Sequence, residues 1–513
     1  MRKNNRREFL ADVGRGMLVA SVGAAVAADL ELAPAWAGEA VERLTFGKME
    51  PLVALMQETP ADKLLPLVVE KMKGGADLRT LTAAAALANA RTFGGHDYTG
   101  YHALMALAPA YQMAAELPEE KRPLPVLKVL YRNTSRIQEQ GGRKHEALHP
   151  VAPAEESKEG GNGDRLRDAV RQRDERAAEQ TFAALARGPI GEAFNHLQFE
   201  IEDEVDVHRV VLSWRSWVLR DITGSEYAHT LLRQSVLYCV DAEKRLFEQK
   251  REPAIRKVLP KLLDQYRLAG RKPGDRKAED KWIESLANTI YGERRERAAE
   301  AVAAALAEGM SPASIGEAIS LAANRLVLCD PGRKTAEPGK PVGSVHGASV
   351  GVHASDSANA WRNIAGVGNA RTTFASLICG AFHTAGQNGG QNKEPYPTAE
   401  QLDKIETKDA DRLLQMAESA IKEKNQAGAA ALVQRYGEQG HSARPAFDLL
   451  LRYAVSEDGA LHAEKYYRTV TEEFAAARPT FRWRHLVALA RVTASEYGQT
   501  APGYAEARRL LNV

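Results

Sequence analysis

The sequence predicts an all-α fold, a multi-helix array or bundle with an internal duplication and a C-terminal helical region. Apolar residues recur every three or four positions in nearly every patterned segment, and we find no alternating β-branched run that would indicate a strand. Helix start signals accompany this periodicity. Residues 59–62 supply an N-cap threonine, a proline at the first helical position and an acid in the first turn. One apolar face follows them, formed by Leu64, Leu65, Val68, Val69 and Met72.

Residues 1–37 have the ordered regions of a twin-arginine (Tat) signal peptide. Residues 5–10 contain the paired arginines followed by Phe-Leu, and residues 13–28 form a mildly apolar stretch that is too short to span a membrane. An A-x-A cleavage signature follows at residues 35–37. We therefore expect export through the twin-arginine pathway to the periplasm or the extracellular space, with the export machinery as a partner and no transmembrane segment in the mature chain.

Composition argues against several classes of function. The formal net charge is only +2, from 69 basic and 67 acidic residues, so no strong positive field would attract nucleic acid and we expect no nucleic-acid partner. The three cysteines, Cys239, Cys329 and Cys379, lie far apart without a C-x-x-C motif. This spacing excludes a disulfide framework and leaves a single bridge open.

Changes in composition suggest how the chain is divided. Residues 150–165 contain too few apolar side chains to pack and read as an exposed linker, and residues 386–397 are a second linker candidate. We expect a signal peptide at residues 1–37, a first helical half at 38–149, an exposed linker at 150–175, a second helical half at 176–390 and a C-terminal helical region at 391–513.

An internal repeat is the most informative pattern in the sequence. Residues 71–91 align without gaps to residues 305–325, and both segments contain a glycine, a candidate N-cap two residues later and an apolar helical stripe. Duplication would produce two related helical halves that face one another across a shared interior. The matched positions are Gly75 with Gly309, Asp77 with Ser311, Leu81 with Ile315, Ala84 with Ala318, Leu87 with Leu321, Ala88 with Ala322 and Arg91 with Arg325.

A pair of histidines follows each copy of the repeat. His96 and His102 follow the first copy, and His346 and His353 follow the second. The second pair is seven residues apart, which is two helical turns, so we expect both side chains on one face of a single helix. Two facing halves would place these histidine-bearing helices on either side of the shared interior.

The pattern of residues 190–221 predicts one long helix that crosses the core, and this segment contains further candidate site residues. His196 and Glu200 are four residues apart, as are Glu204 and His208. This spacing places each pair on one side of a helix, where an imidazole and a carboxylate can share a metal ion or a buried hydrogen-bond network.

Together these residues predict an interior pocket that holds a transition metal as cofactor and receives a small molecule whose identity the sequence leaves open. Neutral imidazoles can ligate a metal or act as general acid and base near neutral pH. Glu200 would orient or bridge, and Asp356, three residues beyond His353, could join the set. We assign metal-ligand roles to His96, His196, His208 and His346, and catalytic roles to His102, His353 and Glu200.

Two other catalytic motifs match in part. A G-x-S-x-G match would make Ser349 a nucleophile with His383 or His353 as base, but its flanking residues predict one small-residue helix instead of a strand-turn-helix elbow. A di-iron bundle needs two helical E-x-x-H pairs, and only Glu226 with His229 falls in a segment of helical pattern.

Three short histidine-bearing segments are similar to the helices of questin-oxidase-like proteins. They are Tyr-His-Ala-Leu-Met-Ala-Leu at residues 101–107, Val-His-Gly-Ala-Ser at 345–349 and Val-His-Ala at 352–354. That family is α-helical and is linked to the oxidation of polycyclic aromatic compounds. The resemblance implies a helical fold and oxidative chemistry, whereas an exported location is not what it would lead us to expect.

Two hypotheses of different class follow. The first is an exported oxidoreductase or metal-dependent enzyme with a histidine-rich interior pocket. The second is a noncatalytic helical scaffold or binding protein, in which the same histidines cap helices or satisfy buried backbone groups. Convergence of at least three of the named side chains would favour the enzyme.

Overall fold

The structure, a computed structural model, is 71% helical, with 23 α-helices and no strand in the part of the chain it describes, so the all-α prediction is confirmed. The described residues are 42–155, 161–345, 347 and 349–513, and the signal peptide at 1–37 lies outside them. No helix within these ranges has the length and apolar character needed to cross a membrane. The helices are α1 (Glu50–Glu58), α2 (Ala61–Lys73), α3 (Leu78–Phe93), α4 (Tyr98–Ala114), α5 (Pro123–Glu139), α6 (Asn162–Arg171), α7 (Glu175–Leu185), α8 (Ile190–Ile201), α9 (Val207–Thr223), α10 (Ala228–Glu248), α11 (Ile255–Gln265), α12 (Asp280–Gly292), α13 (Arg295–Ala307), α14 (Pro312–Leu328), α15 (Val350–Val367), α16 (Ala370–Gly386), α17 (Ala399–Asp403), α18 (Ala410–Lys422), α19 (Gln426–Glu438), α20 (Ala443–Ser456), α21 (Ala463–Ala476), α22 (Pro479–Glu496) and α23 (Tyr504–Leu511).

The two copies of the sequence repeat begin their helices in the same way. Gly75 and Gly309 both adopt a positive φ, at 100° and 81°. Two residues later Asp77 and Ser311 cap α3 and α14, each accepting a hydrogen bond from the backbone N–H three residues further on. The expected cap-then-helix unit is therefore present twice, while the duplication of the two halves stays a prediction.

The expected long helix over 190–221 is wrong, because the chain breaks into α8 and α9 across residues 202–206. Asp206 restarts the helix by accepting a hydrogen bond from the Arg209 N–H at 3.0 Å. The acids before it have partners that hold them outside a helix: Asp203 pairs with Arg171, and Glu204 pairs with Arg209. Candidate residues on either side of this break consequently belong to different helices.

The expected exposed linker at 150–175 is wrong for its second part. α6 lies within it, and its Leu166 and Val170 are fully buried. Residues 46–513 form one compact unit, so the expected boundaries near 149, 175 and 390 do not separate compact domains; residues 42–45 belong to the N-terminal unit.

The cysteines do not form the bridge that the sequence left open. Cys239, Cys329 and Cys379 are all buried free thiols. Burial raises the pKa of Cys239 and of Cys379 well above the ordinary value, so these side chains behave as inert core groups.

Four helices from distant parts of the sequence pack as a closed set. α4 packs on α9, α9 on α15, α15 on α21, and α21 on α4. The first turn of α15 packs tightly on the end of α14, because a Cβ at Gly351 would lie 2.7 Å from the Val327 backbone. Only glycine allows this approach.

We expect Gly351→Ala to destabilise the protein by about 1–3 kcal/mol, because the methyl group would force α14 and α15 apart. Gly366→Ala is the matched control on the same helix, since a Cβ there would meet nothing within 4 Å. Alanine is the better helix former, so the control should cause no loss of stability. Urea denaturation of both variants tests this, and equal midpoints would contradict the packing described.

Candidate functional site

Four histidines lie at or near the N-terminal ends of the four helices in the closed set. His102 is the fifth residue of α4, His208 the second of α9 and His353 the fourth of α15. His462 is the N-cap residue of α21. Helices distant in sequence therefore bring one imidazole each to a common place.

The four imidazoles contact one another around a closed circuit, which we call the four-histidine cluster. The ring centroid of His102 lies 4.9 Å from that of His208 and 5.0 Å from that of His462. His353 completes the circuit at 5.6 Å from His208 and 5.3 Å from His462. The Nε2 atoms of His353 and His462 are 3.2 Å apart.

Two members of the cluster have their tautomer fixed by the backbone. The Nδ1 of His102 lies 2.7 Å from the Tyr98 carbonyl, and the Nδ1 of His462 lies 3.0 Å from the Ala460 carbonyl. Because a carbonyl can only accept, each Nδ1 carries the hydrogen and each Nε2 keeps its lone pair. The Nε2 of His102 is buried and has no hydrogen-bond partner among the described residues.

A carboxylate lies on the corresponding side of His208. Its Nδ1 is 3.8 Å from Oδ1 of Asp206, which also accepts from the Tyr238 hydroxyl at 2.8 Å. The Nε2 of His208, like that of His102, is buried without a hydrogen-bond partner in the described part of the chain. The distance of 3.8 Å between Nδ1 and Oδ1 is too long for a hydrogen bond, so Asp206 is a neighbouring negative charge and does not fix the tautomer of His208.

Burial keeps three histidines of the cluster uncharged. His102 and His462 are only 2% and 3% exposed, and burial lowers the pKa of both well below the ordinary range, with Lys465 adding to the effect. Burial also lowers the pKa of His208 to about 4. These three imidazoles are therefore neutral at physiological pH, as metal ligation and general base catalysis require.

Aromatic side chains cover the cluster on one side. Tyr101 stacks on His102 at 5.1 Å, and Tyr98 lies 4.3 Å from the same ring while remaining 56% exposed to solvent. His208 is itself 16% exposed. Tyr98 thus both contacts a buried imidazole and remains exposed at the surface.

Asp356, which the sequence placed with the histidines, lies in a neighbouring polar group. It is buried and accepts a hydrogen bond from the Thr469 hydroxyl at 2.7 Å. Lys465, three residues beyond His462, faces Asp356, and burial lowers the pKa of this lysine to about 8. Asp356 and Lys465 therefore bring opposite charges close to one another.

As the side chains stand, no group of three or more His, Cys, Asp or Glu among the described residues is arranged as the ligands of a metal ion. The planes of neighbouring rings in the cluster are inclined to one another by 48–72°. The imidazoles therefore pack against one another instead of directing all four Nε2 atoms at one point.

Of the seven site residues assigned from the sequence, the structure brings together His102, His208 and His353. His346 lies outside the described residues. The expected helix carrying both His346 and His353 is wrong, since α15 begins only at Val350.

The remaining three assigned residues lie elsewhere. His96 precedes α4 and pairs with Asp241. His196 is on α8 beside Phe199, with ring centroids 6.4 Å apart. Glu200 is fully buried, and burial raises its pKa well above 4.5 despite the nearby Arg209. The break between α8 and α9 separates His196 and Glu200 from His208, so they cannot act with it as one helical face.

His462 completes the cluster, and sequence reasoning missed it. It follows a short turn in which Ala460 and Leu461 both have positive φ, so it sits at a helix start within no recognisable motif. It belongs to neither copy of the repeat. Only the tertiary packing of α21 against α4 and α15 reveals that it faces His102 and His353.

The two alternative motifs lack the geometry that they need. Ser349 uses its hydroxyl to cap α15 by accepting from the Val352 N–H at 3.4 Å, and no strand precedes it in the described residues. Glu226 lies in a 3-10 turn, before the start of the helix that carries His229. Neither a nucleophile elbow nor a helical E-x-x-H ligand pair is formed.

Comparison of the chain with models of protein families, with curated protein sequences and with solved structures finds no match.

A buried ion pair ties the start of α21 to α5. The Nζ of Lys128 lies 2.7 Å from Oε1 of Glu464, and both side chains are fully buried. The same ammonium donates to the carbonyls of Ala454 and Glu457. Because Glu464 is two residues beyond His462, this pair helps to fix the end of α21 that carries the histidine.

We expect Lys128→Met to destabilise the protein by about 3–5 kcal/mol, because it leaves the Glu464 carboxylate buried without its partner. The double variant Lys128→Met/Glu464→Gln removes both charges and should recover part of this loss. Chemical denaturation at neutral pH measures both. A single variant as stable as the double one would show that the pair contributes little.

The pairing of His96 with Asp241 predicts a pH dependence. The hydrogen bond to Asp241 raises the pKa of His96 above its ordinary 6.5, so the folded protein binds this proton more tightly than the unfolded chain. The contribution to stability is present below pH 6.5 and is lost as the pH rises through the raised value. We expect His96→Gln to cost about 1 kcal/mol at pH 5.5 and much less at pH 9. A difference in unfolding free energy that is constant with pH would contradict this.

Proposed function

We propose that the protein is a metal-dependent oxidoreductase whose transition-metal ion is held by His102, His208, His353 and His462. The observation that carries the proposal is the convergence of four imidazoles from four helices, with ring centroids 4.9–5.6 Å apart. Buried histidines are costly to assemble unless their nitrogens have partners. An ion at the centre would supply the partner that the buried Nε2 atoms of His102 and His208 lack.

The donor set suits a transition metal. The Nε2 atoms of His102 and His208 have no hydrogen-bond partner among the described residues. The Nε2 atoms of His353 and His462 lie 3.2 Å apart, and because His462 carries its hydrogen on Nδ1, His353 donates to it. Metal binding would require this hydrogen to leave the Nε2 of His353. Two nitrogens bound to one ion at about 2.1 Å each lie at a comparable separation. Imidazole ligands favour iron, copper, zinc or nickel over magnesium or calcium. Binding requires the inclined rings to rotate about their side-chain torsions until the four Nε2 atoms point at one centre.

The surrounding residues would orient these ligands and control access. The carbonyls of Tyr98 and Ala460 hold the Nδ1 hydrogens of His102 and His462, which keeps each ring in the required tautomer. Tyr101 limits water on one side by stacking on His102. Tyr98, with its exposed ring, offers a surface on which a small organic substrate can lie.

Redox chemistry is favoured over hydrolysis by the character of the site. A redox-active ion would supply electron transfer to or from the substrate. Four imidazole ligands leave the positive charge of such an ion uncompensated by a ligand carboxylate, and the nearest aromatic side chains, Tyr98 and Tyr101, suit an organic substrate. The resemblance of the His102 and His353 segments to questin-oxidase-like helices supports the same class of reaction. Export by the twin-arginine route, which carries folded proteins, would allow the ion to be inserted beforehand.

The first test is metal content. We expect one ion per chain after reconstitution of the apoprotein with Fe(II), Cu(II), Zn(II) or Ni(II), measured by plasma mass spectrometry. Substitution of His102, His208, His353 or His462 by alanine removes one metal ligand, so the affinity for the metal ion should fall by at least tenfold. A bound ion that dithionite reduces and air reoxidises, followed by its absorption spectrum, would support an oxidoreductase.

The matched controls are His96→Ala and His196→Ala, which remove histidines outside the cluster and should leave the metal content unchanged. Far-ultraviolet circular dichroism shows that each variant is folded, and His208→Ala and His353→Ala are the variants least prone to misfolding because these two residues are only partly buried. Metal-free wild type after reconstitution, or unchanged binding in the cluster variants, would rule out the metal centre. That outcome would favour the noncatalytic scaffold or binding protein.

A further inference from the structure

A cavity of about 580 Å³ lies between α12, α14, α19 and α22. Its volume is within the range of small-molecule sites in proteins. Apolar side chains from these helices form much of its lining, including Leu321, Leu328 and Val487. The loop at residues 395–397 borders it, and none of the cluster histidines lines it.

Trp483 provides a flat aromatic wall whose position is fixed by its neighbours. A Cβ at Gly437 would lie 2.4 Å from the indole ring, so the absence of a side chain there lets Trp483 lie directly on α19. Phe474 and Tyr436 pack against the indole at centroid distances of 5.7 and 6.0 Å. The indole is therefore held in place before any ligand arrives.

Tyr396 borders the cavity and is held equally firmly. Its backbone N–H donates to the Leu328 carbonyl at 2.8 Å, and its ring lies 4.4 Å from the guanidinium of Arg491. That guanidinium is itself anchored, because it donates to the carbonyls of Val327, Leu328 and Asp330. Two aromatic rings thus line a cavity whose walls need little reorganisation to bind a flat molecule.

One positive charge on the lining is not neutralised. The guanidinium of Arg325 stacks on Tyr291 at 4.3 Å and donates to the Asn288 side chain at 2.8 Å. Neither partner is charged, and no carboxylate of the described residues lies within ion-pair distance of Arg325.

The other charged side chains of the lining are already paired. Arg484 pairs with Glu284 at 2.6 Å, and Glu438 pairs with Arg435 at 3.1 Å. The cavity consequently presents one positive charge without an acidic partner, that of Arg325, next to apolar and aromatic surface.

We propose that this cavity is a binding site for a small organic anion with a flat apolar body. The anionic group would accept hydrogen bonds from the guanidinium of Arg325, which matches the planar geometry of a carboxylate or sulfonate. The apolar body would lie against Trp483 and Tyr396. The proposal is independent of the four-histidine cluster and of any metal there.

Two fluorescent probes of the same shape separate the roles of charge and aromatic surface. The anion is 8-anilinonaphthalene-1-sulfonate, and its uncharged counterpart is N-phenyl-1-naphthylamine, which lacks only the sulfonate. We expect the full-length protein to bind both probes saturably. Arg325→Gln should lower the affinity for the sulfonate by about tenfold or more, while the affinity for the amine changes less than twofold. Gly437→Ala, which displaces Trp483, should lower the affinity for both probes.

Arg297→Gln is the matched control, because Arg297 is an exposed arginine on α13 that pairs with Glu300 and does not line the cavity. It should leave both affinities unchanged, and circular dichroism confirms folding of all variants. The proposal is overturned if wild type shows no saturable binding of the sulfonate, if Arg325→Gln leaves its affinity unchanged, or if that variant weakens both probes equally.

Discussion

The meeting of four helix N-termini is the constraint on which the rest of this structure depends. The N-terminal ends of α4, α9, α15 and α21, where a helix dipole is positive, carry the histidines that contact one another, so charged imidazolium groups there would be unfavourable. Burial acts in the same direction on His102 and His462. His102 and His462 are consequently held as neutral groups, and their hydrogen-bond acceptors are local carbonyls, four residues back at Tyr98 and two residues back at Ala460.

The C-terminal region is part of the site and not an accessory to it. α21 contributes His462, and its first turn is anchored to α5 by the pair of Lys128 with Glu464. Glu496 on α22 accepts a hydrogen bond from the Gly347 N–H at 2.7 Å, just ahead of α15. Contacts from the last hundred residues therefore position two of the four histidine-bearing helix ends, which explains why residues 46–513 form one compact unit.

The sequence was a good guide where the determining interactions are local and a poor one where they are not. Helical periodicity and caps such as Asp77 and Ser311 act within a few residues, so the fold class and two helix starts were predictable. The break after α8 depends on Asp203 meeting Arg171 across the fold, which periodicity cannot detect. His462 has no local motif at all, and its role emerges only from the packing of α21 on α4.

The end of α14 connects the two regions of interest. Gly351, at the start of α15, packs on the backbone of Leu326 and Val327, while Leu328 lines the cavity beside Tyr396. Arg491 secures this turn by binding the carbonyls of Val327 and Leu328. Because one helical turn supports both the helix that carries His353 and a wall of the cavity, a change to the turn itself would disturb both.

Arg325 lies on the same helix, but its guanidinium is directed to Asn288 and Tyr291 on α12. Removing the charge of Arg325 therefore leaves the contacts that position His353 unchanged. The anion site and the four-histidine cluster can consequently be altered by separate substitutions.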